Sequence, residues 1–165
     1  MVSIEDVRTV LDGIDDPELP CSIVQLGLVE SIGIESGVAH IVLLPTFTGC
    51  PALQMIEDDV RRTVAAMDGV DTCTVAWQYE PAWTPDRITS AGRERLHAHG
   101  VTTPAACCGA AGGDATVSLT TSAVPCPYCG SANTRLDSPY GPTRCRQIHM
   151  CEDCRNQFEH MKPVS

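Results

Sequence analysis

Four cysteines near the end of the chain have the spacing of a metal site: Cys126-Pro127-Tyr128-Cys129-Gly130, then Cys151-Glu152-Asp153-Cys154. A C-x-x-C pair on a tight turn aims two thiolates at one ion, and two such pairs complete a tetrahedron of sulfur around zinc. Residues 125–165 are too few to hold together by core burial alone, so metal binding has to supply their folding free energy. The pattern predicts a C-terminal zinc ribbon with Cys126, Cys129, Cys151 and Cys154 on one structural zinc. A redox role for Cys126-x-x-Cys129 would leave the matching pair at Cys151 unexplained. Four thiolates and one zinc leave a negative site, which Arg144, Arg146 and Arg155 are expected to neutralise in part.

A second thiol has chemistry of its own. Thr48-Gly49-Cys50-Pro51 stands where a predicted strand hands over to a helix. Pro51 suits the first helical turn, which puts Cys50 at the helix N-cap, where free N–H groups and the dipole favour a thiolate. Two readings stay open for Cys50: a metal ligand or reactive thiol, and a small buried cysteine. Cys73 alternates with Val75 and Trp77 and reads as a packed core thiol. Cys145 has no zinc role to fill once the four-cysteine site is complete. A docking residue, a transient ligand and a buried thiol all remain open for it. His40 is expected to be hydrogen-bonded and partly buried, and His97 and His99 solvated. Cys107-Cys108 chelate poorly as neighbours and read as incidental.

The elements that must position these groups follow from periodicity. Ser3 caps a helix whose apolar residues are Ile4, Val7, Leu11 and Ile14. Leu28–Ile34 and Val38–Leu44 flank Glu35-Ser36-Gly37 as a hairpin. A helix from Pro51 to about Met67 buries Leu53, Ile56, Val60, Val64 and Met67, with Glu57/Arg61 and Asp58/Arg62 as i,i+4 pairs on its wet face. Residues 72–77 form a third strand. The order helix-strand-strand-helix-strand predicts an α+β fold, a small sandwich with helices on one face of a mixed sheet. A further helix is expected over 90–99, so the first domain spans 1–100. Residues 101–124 turn to Ala, Gly, Thr and Ser and read as a flexible linker, and 125–165 form the ribbon.

Charge narrows the partners. Residues 1–100 carry six basic and sixteen acidic side chains, and 126–165 carry five basic and four acidic. The large domain therefore repels polyanions, and nucleic acid is not an expected partner. The most apolar stretch, Val38–Leu44, is far too short to span a bilayer, and no apolar run opens the chain. A soluble cytoplasmic protein is expected, with its ten cysteines reduced or metal-bound.

Asp16-Pro17-Glu18-Leu19-Pro20, with Ser22-Ile23-Val24-Gln25-Leu26-Gly27-Leu28-Val29 and Thr48-Gly49-Cys50-Pro51, resembles the signature of the MIP-type iron–sulfur assembly domain. That family includes bacterial SufT proteins and cytosolic iron–sulfur targeting factors, and the resemblance covers residues 3–78. Pro81 to Ile88, Ala91-Gly92-Arg93-Glu94, Leu96 and the ribbon, including Ser138-Pro-Tyr-Gly-Pro-Thr-Arg-Cys145, resemble the PaaD subfamily. Cys21 departs from the usual aliphatic residue, and Pro142 from a small serine.

The resemblance implies a non-catalytic accessory of the phenylacetyl-CoA epoxidase, a multicomponent di-iron monooxygenase of phenylacetate degradation. Its task would be assembly of the iron–sulfur centre of the reductase or the di-iron centre of the catalytic subunit. The alternative is a stable structural subunit without metal transfer. The resemblance makes Cys50 the functional cysteine, holding transient iron or an iron–sulfur cluster, with Asp16 and Glu18 as an acidic loop. A single cysteine holds a cluster poorly, so a homodimer or a partner's ligands would complete stable binding.

Overall fold

The structure, a computed structural model, describes residues 2–104 and 123–162. Helix α1 spans Ile4–Leu11 and opens on a capping box. The Ser3 hydroxyl accepts from the Asp6 N–H at 3.2 Å, and the Asp6 carboxylate accepts from the Ser3 N–H at 2.9 Å. Two otherwise orphaned donors are thereby satisfied. Strands β1 (Val29–Glu35) and β2 (Val38–Leu43) form the expected antiparallel hairpin. Helix α2 (Ala52–Ala65) then carries the chain over to β3 (Thr72–Trp77), which lies parallel to β2. The sheet order is β1-β2-β3, a mixed sheet covered by α1 and α2.

Burial follows the two periodicities. Ile56, Val60 and Val64 of α2 face Ala39, Ile41 and Leu43 of β2, with Val7 and Leu11 of α1 beside them. The alternation on β2 puts His40 on the exposed face, where its Nδ1 meets the Thr74 hydroxyl at 2.8 Å. It is hydrogen-bonded as expected but not buried. On α2, Glu57 pairs with Arg61 at 2.6 Å, whereas Arg62 takes Asp59 one turn back and not Asp58. Cys73 is buried in the core, and His97 and His99 are exposed.

A second layer of sequence secures the segment after the third strand. A 3-10 turn at Pro85–Arg87 leads into α3 (Ser90–Ala98). The Trp83 indole donates to the Leu26 carbonyl at 2.9 Å, and Arg87 donates to the Gly27 carbonyl at 3.0 Å and to Glu30 at 2.6 Å. Gly92 lets α3 approach closely, since a Cβ there would stand 2.7 Å from the Gln25 carbonyl oxygen. The residues 22–28 loop is thus clamped by backbone-directed bonds from another element, which satisfies carbonyls that a buried loop would otherwise leave unpaired.

Strands β4 (Val101–Thr102), β5 (Thr134–Ser138), β6 (Arg146–Cys151) and β7 (Gln157–Met161) make a second sheet, ordered β4-β7-β6-β5. The first two residues of the expected linker are therefore strand, paired parallel with β7. Met161 is fully buried and joins the core that contains Leu96 and Val101. Burying such a side chain contributes about 1.5–3 kcal/mol, so the ribbon is tied into the first domain's core and does not hang free. Residues 105–122, with Cys107 and Cys108, lie outside the described residues.

Candidate functional site

The ribbon's two turns are near copies of each other. The Gly130 N–H donates to the Cys126 carbonyl at 2.9 Å and the Arg155 N–H to the Cys151 carbonyl at 3.0 Å. The Cys126 and Cys151 N–H groups in turn donate to Ser131 and Asn156 carbonyls at 2.9 and 3.0 Å. Each turn needs a left-handed residue after its second cysteine: Gly130 has φ 74° and Arg155 φ 62°. Glycine takes that conformation freely, and arginine does so at a steric cost.

All four sulfurs lie within 4.8 Å of one another, with Cys126–Cys154 and Cys129–Cys151 at 3.6 Å. A tetrahedron with zinc–sulfur bonds of ~2.3 Å has edges of ~3.8 Å, so the donor set fits zinc with little adjustment. Packed thiols cannot all ionise without a cation. The Ser131 N–H favours the Cys129 thiolate, yet the neighbouring sulfurs outweigh it and push that thiol up to about 12. At Cys154 the Asn156 N–H and the same sulfurs bring it down to about 7. A divalent ion removes this conflict by replacing the protons.

Two of the arginines expected to neutralise the site have carboxylate partners. Arg146 is buried against Glu159, and Arg155 reaches Glu152 at 3.4 Å. Arg144 lines a different cavity, of about 190 Å³, together with Glu18, Cys50 and Cys145.

That cavity lies where the first domain meets the ribbon. Cys50 comes from the turn between β2 and α2, at the carboxyl end of a strand with a parallel neighbour, where α/β crossovers leave a crevice. The Cys50 N–H donates to the Phe47 carbonyl at 3.2 Å, and its carbonyl accepts from Leu53 N–H at 3.3 Å. The helix N-cap is Pro51, so Cys50 sits one residue before the cap. Burial pushes its thiol up, the Ala52 N–H partly offsets this, and Glu18, Asp16 and Cys145 add to the rise. The expected helix-stabilised thiolate is thus outweighed by desolvation and neighbouring negative charge, and Cys50 stands as a neutral, half-buried thiol.

Glu18 reaches the same cavity and Asp16 does not. The Asp16 carboxylate accepts from the Glu18 and Leu19 N–H groups at 2.8 and 3.0 Å, closing the turn that presents Glu18. Burial pushes its carboxyl up, against those two N–H groups and the charge of Arg146. Across the cavity, Arg144 stands over the Phe47 ring at 6.0 Å. The sequence pointed to Cys50 by its motif and to Glu18 by the family resemblance; it did not point to Phe47, and it assigned Arg144 to the zinc site, whereas tertiary packing puts both at this cavity.

Two family models divide the chain. An "Iron-sulfur cluster assembly protein" model matches residues 4–77, and a "PaaD zinc beta ribbon domain" model matches residues 110–162. The first part has the fold of a DUF59 domain from Bacillus anthracis, at 28% identity and TM-score 0.54 over 56% of this chain and 89% of that one. A hypothetical protein from Thermotoga maritima is similar, at 32% identity and TM-score 0.51 over 58% of this chain and 94% of that one. Fold and site together define an iron–sulfur-assembly-type domain fused to a zinc ribbon. Over nearly its whole length the chain is 32% identical to an Escherichia coli protein named as a subunit of a "Putative 1,2-phenylacetyl-CoA epoxidase", covering 98% of this chain and 93% of that one. The chain belongs to the PaaD family. Its first domain is also 35% identical, over 86 residues, to the Fe-S protein maturation auxiliary factor YitW of Bacillus subtilis, covering 52% of this chain and 84% of that one.

Proposed function

We propose that the chain is an accessory maturation subunit of a phenylacetyl-CoA epoxidase, receiving an iron species at Cys50 and passing it to the reductase or the catalytic di-iron subunit. The observation that carries this reading is Cys50 in a solvent-reachable cavity beside Glu18. A thiol and a carboxylate suit iron, and so small a donor set lets the cation leave, which favours transient over permanent holding. Asp16 acts by shaping the turn behind Glu18. The zinc ribbon is structural, and the chain performs no oxygenation itself. The relatives' names, an epoxidase subunit and a maturation factor, support both halves of the proposal.

A Cys50→Ser chain is expected to fold and keep its zinc, yet leave the epoxidase of a deletion strain inactive and its partner subunits poor in iron. Full activity with Cys50→Ser contradicts transfer through Cys50. The second reading is a stable subunit without metal transfer. The embedding of Met161 in a shared core favours it, because it makes chain and ribbon one rigid docking body. Stoichiometric co-purification with the epoxidase, combined with full Cys50→Ser activity, would select it.

A further inference from the structure

We infer that Cys145, contributed by the ribbon, is a second ligand for the iron carried at Cys50, so that the cargo site is completed across the junction of the two modules. The inference deepens the proposed function and rests on its reading of Cys50. Cys50 and Cys145 line one cavity, whose wall also includes Glu18. Both thiols are free, and both are half-buried, sheltered yet reachable.

Among the described residues, Cys145 fills neither of the two structural roles open to a ribbon cysteine. Zinc is fully supplied by the four ribbon cysteines, and Cys145 belongs to neither apolar core cluster. Its backbone is nonetheless held firmly. The Cys145 carbonyl accepts from the Lys162 N–H at 2.9 Å, beyond the end of β7, and the next residue, Arg146, is buried against Glu159. Arg146 also donates to the Thr143 hydroxyl at 2.7 Å, and that hydroxyl meets the Cys145 sulfur at 3.1 Å. A half-buried thiol that lines a cavity on a firmly held backbone is arranged as a ligand donor.

The chemistry supports the pair. One thiolate holds ferrous iron weakly, whereas two thiolates form a partial coordination set with positions left for an incoming partner ligand. Binding releases a proton from each thiol to solvent and forms two iron–sulfur bonds, with no electron transferred. The same arrangement supplies from within one chain the ligand that a homodimer would otherwise bring.

The test uses full-length chain with its zinc site filled, titrated without oxygen with Co(II) as a spectroscopic stand-in for ferrous iron while zinc content is followed. The expected result is one further ion with sulfur-to-cobalt absorption. Cys145→Ser should then roughly halve that absorption and weaken binding by at least the ~10–100-fold that loss of even an outer partner costs. If Cys145→Ser binds like the unaltered chain while Cys50→Ser does not, the inference fails and the reading of Cys50 survives. If neither substitution matters, or the chain takes no second ion, both fail. Alkylation of the unaltered chain needs no variant: added Co(II) should protect both Cys50 and Cys145, and protection of Cys50 alone overturns the inference.

Discussion

The two cysteine sites of this chain differ in how many donors the protein commits to each. In the ribbon, four thiols from two matched turns close around one point, leaving no position for an exchangeable ligand. At the module junction, Cys50 and Glu18 open into a cavity shared with Cys145 and Arg144. A closed set keeps its metal and turns binding energy into folding energy, whereas an incomplete set lets a cargo leave. Thiol chemistry alone is therefore a poor guide to function, and donor number with access is a better one.

Breaking the closed site should have the largest effect. Cys151→Ser, or chelation of the zinc, removes much of the ~10–16 kcal/mol that four-coordinate zinc gives small modules. Amide exchange should show β5–β7 unprotected. Because β4 and Met161 tie the sheets together, the first domain should lose stability as well. An unchanged first domain would mean that the shared core is energetically minor.

Met161→Ala sharpens the same point without touching zinc. A fully buried methionine cut back to alanine should cost about 2–5 kcal/mol in urea unfolding at constant zinc content. Two separate transitions in the variant would show that this residue couples the modules.

A third effect comes from His160, whose Nδ1 meets the Thr102 hydroxyl at 2.9 Å and whose imidazole burial pushes down to about 4. The folded state stays neutral where the unfolded chain, at about 6.5, takes up a proton. Its contribution is present above pH about 6.5 and is lost as pH falls from there through about 4. His160→Gln should flatten that part of the stability profile, and an unaltered slope would assign it to the carboxylates.

The smallest effect is expected at Arg155, the non-glycine partner of Gly130 in the paired turns. Arg155→Gly relieves a left-handed backbone at the cost of a more flexible unfolded chain. The net should be a gain of no more than about 1 kcal/mol in thermal stability, and a loss would show that the contact with Glu152 outweighs the strain.

Much of this was legible before the structure. The four ligands follow from spacing, because each C-x-x-C pair is local and carries its geometry with it. The α2 stripe of Ile56, Val60 and Val64 and the alternation of Cys73, Val75 and Trp77 follow from period. Residues that act across distance were not legible. A two-residue strand such as β4 has no periodicity to detect, and the cavity that Cys145 shares with Cys50 depends on how the modules pack. Motif reading grouped Asp16 with Glu18, yet the backbone N–H groups claim the Asp16 carboxylate and leave only Glu18 for the cavity. Cys50 was placed at a helix cap where the dipole would ionise it, but burial and nearby acidic groups decide its charge.

The most direct measurement is the metal content of full-length chain loaded anaerobically with ferrous iron, compared between the unaltered protein and Cys50→Ser. The account predicts zinc retained in both, and iron bound by the unaltered chain but lost in Cys50→Ser. Equal iron in the two proteins, or zinc lost together with iron in Cys50→Ser, would contradict the separation of a closed structural site from an open cargo site.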